Sequence, residues 1–265
     1  MNGLIKAEFR RLLATRMWWG VLLVGGFLGG GLIGMLTLVG PENFDPPMPG
    51  LQTEEGVRTI LGFLGYTAFL PAAIGTLAVT SEYRHRTISF TFLFAPRRWQ
   101  VLAAKLVAHG VSGALYGLVL STTAAVAFFG AAAARGVTLG MPAASIIELL
   151  ARIGVAMVAY TVLGIGMGAL IRNQVAALAV VVGYLYAGEV LLMMVPGVRH
   201  LYPWLPGGAA AALTDFTAVG DALSQQLSAD PIPLLSPLAG LLVLLAYTAL
   251  ASAAALLSPL RRDIT

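Results

Sequence analysis

Apolar and polar positions come in long blocks along this chain. Six runs, at 17–39, 59–81, 106–134, 150–171, 175–195 and 234–257, are almost free of charge. At 1.5 Å rise per residue the first of them extends about 34 Å, enough for a hydrocarbon core of about 30 Å. A charge at the centre of a span costs about 2.5–3.5 kcal/mol on the insertion scale. Six such windows therefore predict an all-α membrane protein, one domain over 1–265 with six transmembrane helices.

The segments between the runs have their own patterns. In 1–16, Leu4, Ile5, Phe9, Leu12 and Leu13 recur at helical spacing, with Lys6, Arg10, Arg11 and Arg16 towards the other side. That pattern predicts an amphipathic helix lying on an anionic membrane face. A signal-peptide n-region is the alternative, but the next apolar run exceeds an h-region and lacks a clear small-x-small cleavage site. Trp18 and Trp19 suit an interfacial anchor. Gly25, Gly26, Gly29, Gly30 and Gly34 give overlapping GxxxG spacings, a face for close helix packing, within this chain or against a second copy. Residues 41–58, rich in proline and acid, read as a solvated loop, and Pro71 predicts a kink in the second run. Glu148 and Arg152 are spaced i, i+4 for a local salt bridge. Residues 196–233 are too apolar for a simple loop and too interrupted for a span. They predict a re-entrant or interfacial segment before the sixth span.

Composition supports the membrane reading. Hydrophobic residues make up 58% and charged residues 11%, against about 25% charged in ordinary globular chains. The net charge of +4 resides in segments between apolar runs, which reads as topology and not as a nucleic-acid surface. With the N-terminus inside, the inner segments hold Lys6, Arg10, Arg11, Arg16, Arg84, Arg86, Arg97, Arg98, Lys105, Arg172, Arg261 and Arg262. The outer side keeps Arg58, Arg135, Arg152 and Arg199. Twelve against four fits the positive-inside rule and places both termini in the cytoplasm.

Several chemistries are excluded. The chain has no cysteine, so it has no disulfide and no thiolate metal site. Its two lysines, Lys6 and Lys105, sit in no GxxxxGK[ST] setting, so it cannot hydrolyse ATP through a P-loop. His85, His109 and His200 are too scattered for a metal cluster. Gly110-Val111-Ser112-Gly113 matches the GxSG of intramembrane proteases, but the fourth, fifth and sixth spans contain no histidine to serve as base. Packing is the simpler role for that motif. Glu189 is the single carboxylate inside an apolar run. A coupling-ion or substrate role, snorkelling, and pairing with a polar neighbour all remain open for it. Tyr66 and Tyr184 join it as candidate residues of a translocation path.

The stretch from Thr80 to Lys105 carries five of the sixteen basic residues. Within it, Glu82-x-Arg84-x-Arg86-Thr87-Ile88, then Ala95-Pro96-Arg97-Arg98 and Ala104-Lys105, resembles the cytoplasmic loop of ABC-2 type transporter permeases. The resemblance extends to the order of the spans, the amphipathic N-terminal helix and the Leu205-Pro206-Gly207-Gly208 segment. Arg86 departs from it, standing where the family usually has glycine. The resemblance implies the membrane half of a bacterial ABC exporter in the plasma membrane, working as a dimer, most simply a homodimer. Two copies of a separate ATPase subunit would dock beneath it. This chain would bind no cofactor; ATP and Mg would be held by the partner. Residues 82–95 would form the coupling helix between spans two and three, with Glu82, Arg84 and Arg86 as rim contacts. Tyr83, Thr87, Phe90, Pro96, Arg97 and Arg98 complete the expected docking set. The second and fifth spans would face the path.

The expected role is thus a non-catalytic permease subunit. The rival from another class is an ion-gradient-driven carrier or channel, which needs ionisable residues deep in several spans, whereas Glu189 is almost alone. A neighbouring gene for a soluble P-loop protein would discriminate between them. The cargo is not readable from the sequence.

Overall fold

The fourth apolar run folds into the helix on which the second, third and last long helices all pack. The computed structural model describes residues 1–95, 97–195 and 197–257. Pro96 and the tail bearing Arg261 and Arg262 fall outside the described residues. Among those described there are helices and no strands, and five helices are long and apolar enough to cross a membrane. These are Trp18–Val39, Glu54–Arg84, Arg98–Ala134, Ala143–Leu170 and Pro237–Leu257, hereafter the first, second, third, fourth and last long helices. An N-terminal helix, Asn2–Ala14, precedes them.

The fifth apolar run behaves differently. It opens as a shorter apolar helix, Gln174–Gly183, capped by the Asn173 side chain accepting from the Ala176 amide at 3.0 Å. It widens into a π-helical turn at Tyr184–Gly188 and ends as Glu189–Met193. The interrupted segment beyond it holds helix Pro206–Thr214, about 14 Å long, buried against the fourth and last long helices. A nine-residue helix is too short to cross a membrane.

Boundaries shift where local chemistry overrides the apolar pattern. Thr53 caps the second long helix by accepting from the Gly56 amide, and Glu54 and Glu55 occupy its first turn. The helix therefore starts inside the segment expected as loop, because carboxylates favour a helix N-terminus. The irregularity expected at Pro71 falls in the preceding turns, where Phe63–Ala68 is 3-10 helix. Pro71 has no N–H for the Thr67 carbonyl. The third long helix has 37 residues, about 55 Å of rise, so it projects well beyond one hydrocarbon thickness.

Glycine sets the packing distances. The glycine face of the first long helix finds its partner within the same chain: a Cβ at Gly25 would sit 2.9 Å from the Tyr116 ring, and one at Gly29 would strike the Leu120 carbonyl. The second and fourth long helices approach closely enough that Gly75 lies against the Thr161 carbonyl and Gly164 against that of Ala72. There the Thr76 hydroxyl, 2.9 Å from the Ala72 carbonyl, is also 3.2 Å from that of Gly164. In the GxSG stretch, Gly113 packs on Thr161 and the Ser112 hydroxyl donates to the His109 carbonyl at 2.7 Å. Both contacts are those of a packing motif.

Candidate functional site

Two regions gather most of the charged side chains among the described residues. The first lies where the second long helix ends. The Thr87 amide donates to the Glu82 carbonyl at 2.9 Å and the Arg86 amide to that of Tyr83 at 3.2 Å. These two bonds form a Schellman turn, which requires a left-handed residue just past the helix. Arg86 is that residue, with φ 55°. The turn redirects the chain into the short helix Ile88–Phe94. Ile88 and Ala95 face inward, while Phe90, Leu93 and Phe94 are 66%, 74% and 85% exposed. Arg84, Arg86, Thr87 and Arg97 are exposed around them. The Arg98 guanidinium lies 5.0 Å from the Phe92 ring centre, and that of Arg172 lies 5.7 Å from the ring of half-buried Tyr83.

One expectation is corrected here. Glu82 is not at the rim, and residues 82–95 are not one helix. The Glu82 carboxylate points into the bundle, where it pairs with both Lys105 and Arg11. Lys105, 2% exposed, also sits 3.1 Å from each carboxylate oxygen of Glu8 and 3.3 Å from the Ala78 carbonyl. The cluster ties the N-terminal helix, the second long helix and the third together. Two acids and two bases balance their charges, as a buried set must.

Sequence reasoning missed Glu8 and used Lys105 only as a motif marker. A signal was present: Glu8 stands four residues from both Leu4 and Leu12, on the apolar stripe of the N-terminal helix. A carboxylate in that position needs a buried cation.

The second region is at the far end. There the Glu42 carboxylate pairs with Arg135, which also donates to the Thr37 carbonyl at 3.0 Å. Arg58 pairs with Glu54 and Asp215. Glu148 and Arg152 approach at 3.8 Å, as their spacing predicts. Glu189 is 2% exposed, and both of its oxygens lie 2.8 Å from the Gly207 amide, in the first turn of helix Pro206–Thr214. Of the alternatives open for Glu189, pairing with a polar neighbour is present, the neighbour being the Gly207 amide. Glu189 and Tyr66 line one cavity of about 150 Å³; Tyr184 is not among its lining residues. Tyr160 closes one wall, donating to the Pro206 carbonyl at 3.0 Å. No protein-family model matches the chain, and no curated protein matches its sequence.

Proposed function

We propose that this chain is the membrane subunit of an ATP-driven exporter of the ABC-2 type, coupling hydrolysis by a separate ATPase to movement of its own helices. One observation carries the reading. A short helix with three large apolar side chains exposed, ringed by Arg84, Arg86 and Arg97, projects from the junction of two long helices. Exposed apolar patches rimmed by charge mark interaction sites. The buried cluster beneath makes the patch a lever, because force on Ile88–Phe94 passes through Glu82 and Lys105 into the second and third long helices together.

In this reading the run from Gln174 to Met193 is the sixth crossing, since 20 residues give about 30 Å. Pro206–Thr214 is the re-entrant element, and the Lys105 end faces the cytoplasm. Two copies of the chain enclose the path, and nucleotide and magnesium belong to the ATPase.

The test is a Phe90→Ser, Phe94→Ser double variant. The ATPase should cease to co-purify and nucleotide-driven export from vesicles should fall to background, with membrane insertion intact. Unchanged coupling in that variant, or transport by the isolated wild-type chain without nucleotide, would overturn the proposal.

A further inference from the structure

We propose that the cavity beside Glu189 is a binding site for a small organic ammonium ion. It is built from three parts of the chain: Tyr66 of the second long helix, Tyr160 of the fourth, and Glu189, Tyr202, Thr214 and Phe216 of the segments between the fourth and the last. Among the described residues lining it there is no lysine, arginine or histidine, and Glu189 is its one carboxyl group.

Glu189 reaches this position because it directly follows the π-helical turn Tyr184–Gly188, which shifts the phase of the residues after it. Its charge meets the N-terminus of Pro206–Thr214 through the Gly207 amide. A helix end supplies about half of an elementary charge, so the carboxylate is held in place without a full counterion among the lining groups.

The other walls favour the same sign of ligand. Tyr66 and Phe216 meet edge to face with ring centres 5.3 Å apart, and Phe63 extends the cluster at 5.6 Å from Phe216. Aromatic faces carry partial negative charge and attract cations, most strongly where water is excluded. A carboxylate beside such rings is a poor site for an anion, and an uncharged hydroxyl guest offers it a hydrogen bond without charge attraction. An ammonium group placed against Glu189, with its apolar part against the rings, satisfies both. The volume suits a ligand of one small ring, since a cavity of about 150 Å³ accommodates benzene. This site does not depend on the exporter reading, because it requires neither nucleotide nor a partner.

Benzylammonium and benzyl alcohol form a test pair of matched size that differ in charge. Their binding to the full chain in lipid nanodiscs can be measured by calorimetry with no ATPase and no nucleotide present. Wild type should prefer the cation by at least tenfold. Glu189→Gln keeps an acceptor for the Gly207 amide and should reduce the preference to about threefold, the share of the aromatic rings. Phe216→Leu keeps the charge and should lower the preference roughly threefold. If Glu189→Gln fails to fold, the Phe216→Leu result decides alone. Equal affinity of wild type for both compounds, or no binding of either at millimolar concentration, overturns the proposal. So does a cation preference that is undiminished in a folded Glu189→Gln protein.

Discussion

Lys105 and Glu8 stand 97 residues apart in sequence and 3.1 Å apart in the fold, joining the third long helix to the N-terminal helix from inside the bundle. The geometry makes the N-terminal helix part of the bundle. It closes the base of the two helices that carry Ile88–Phe94, with Arg11 reaching Glu82 from the same turn. An amphipathic helix held by lipid alone could slide. One held by a buried ion cluster has a fixed register.

Lys105→Met should therefore be costly. It leaves the Glu8 and Glu82 carboxylates buried without their shared cation, and breaking a buried ion pair from one side costs about 3–5 kcal/mol. Adding Glu8→Gln and Glu82→Gln to Lys105→Met should recover most of that loss, because neutral groups need no counterion. Half-exposed Arg11 can turn to solvent. Thermal or denaturant unfolding in detergent measures both. A single variant as stable as wild type would mean that the cluster contributes nothing to the fold.

Much of this architecture was legible because a membrane chain must keep charge out of its spans, so the long helices show as gaps in the charge pattern. The limits of those helices were less legible. Thr53 and its following acids extend the second helix, and Arg98 through Lys105 are helical despite their charge, since a helix outside lipid tolerates either. Glu82 was expected at a rim, and the fold turns it to the inner side of its helix. Orientation depends on Lys105 and Glu8, whose contacts span distances that no local pattern encodes. Glu189 stood out as a lone carboxylate. Its neighbours Tyr202 and Phe216 did not, because aromatic residues in an apolar segment look alike until the chain folds back.

Arg86→Gly should stabilise the turn after the second long helix. At φ 55° a residue with a Cβ pays about 1–2 kcal/mol that glycine avoids. Glycine loses about 0.5–1 kcal/mol more in chain entropy on folding. The difference leaves a gain of up to about 1.5 kcal/mol, read as slower hydrogen exchange at the amides of positions 86 and 87 that close the turn. Arg86→Ile, β-branched at the same φ, should loosen it. The opposite ranking of the two variants would refute the turn geometry.

The far end should respond to acid. Hydrogen bonding to its own backbone amide, and secondly the Arg135 guanidinium, hold the Glu42 carboxyl below its ordinary value of 4.5. A carboxyl depressed in the folded state contributes stability that is present above its unfolded pKa and is lost as pH falls through the folded one. The Glu42 side chain is 39% exposed at the surface, so solvent screens the pair and the contribution is small. The expected result is a shallow loss of stability below about pH 4.5 that diminishes in Arg135→Gln. An acid slope identical in the two proteins would show that Arg135 plays no part in it.

The contact between the second and fourth long helices gives the sharpest test of the packing. A Cβ at Gly75 would meet the Thr161 carbonyl, a backbone atom that cannot rotate away, so Gly75→Ala must push two helices apart. Overpacking of this kind costs about 1–3 kcal/mol. Gly130, in the third long helix, has nothing within 4 Å of where its Cβ would be. There the substitution removes only glycine's helix penalty, so Gly130→Ala should be neutral or stabilising by up to about 1 kcal/mol. Both variants add one methyl group, so composition cancels between them. Unfolding midpoints that shift together would mean that the two helices do not meet at Gly75, and the same experiment on Gly164→Ala, facing the Ala72 carbonyl from the opposite side, should reproduce the Gly75 result.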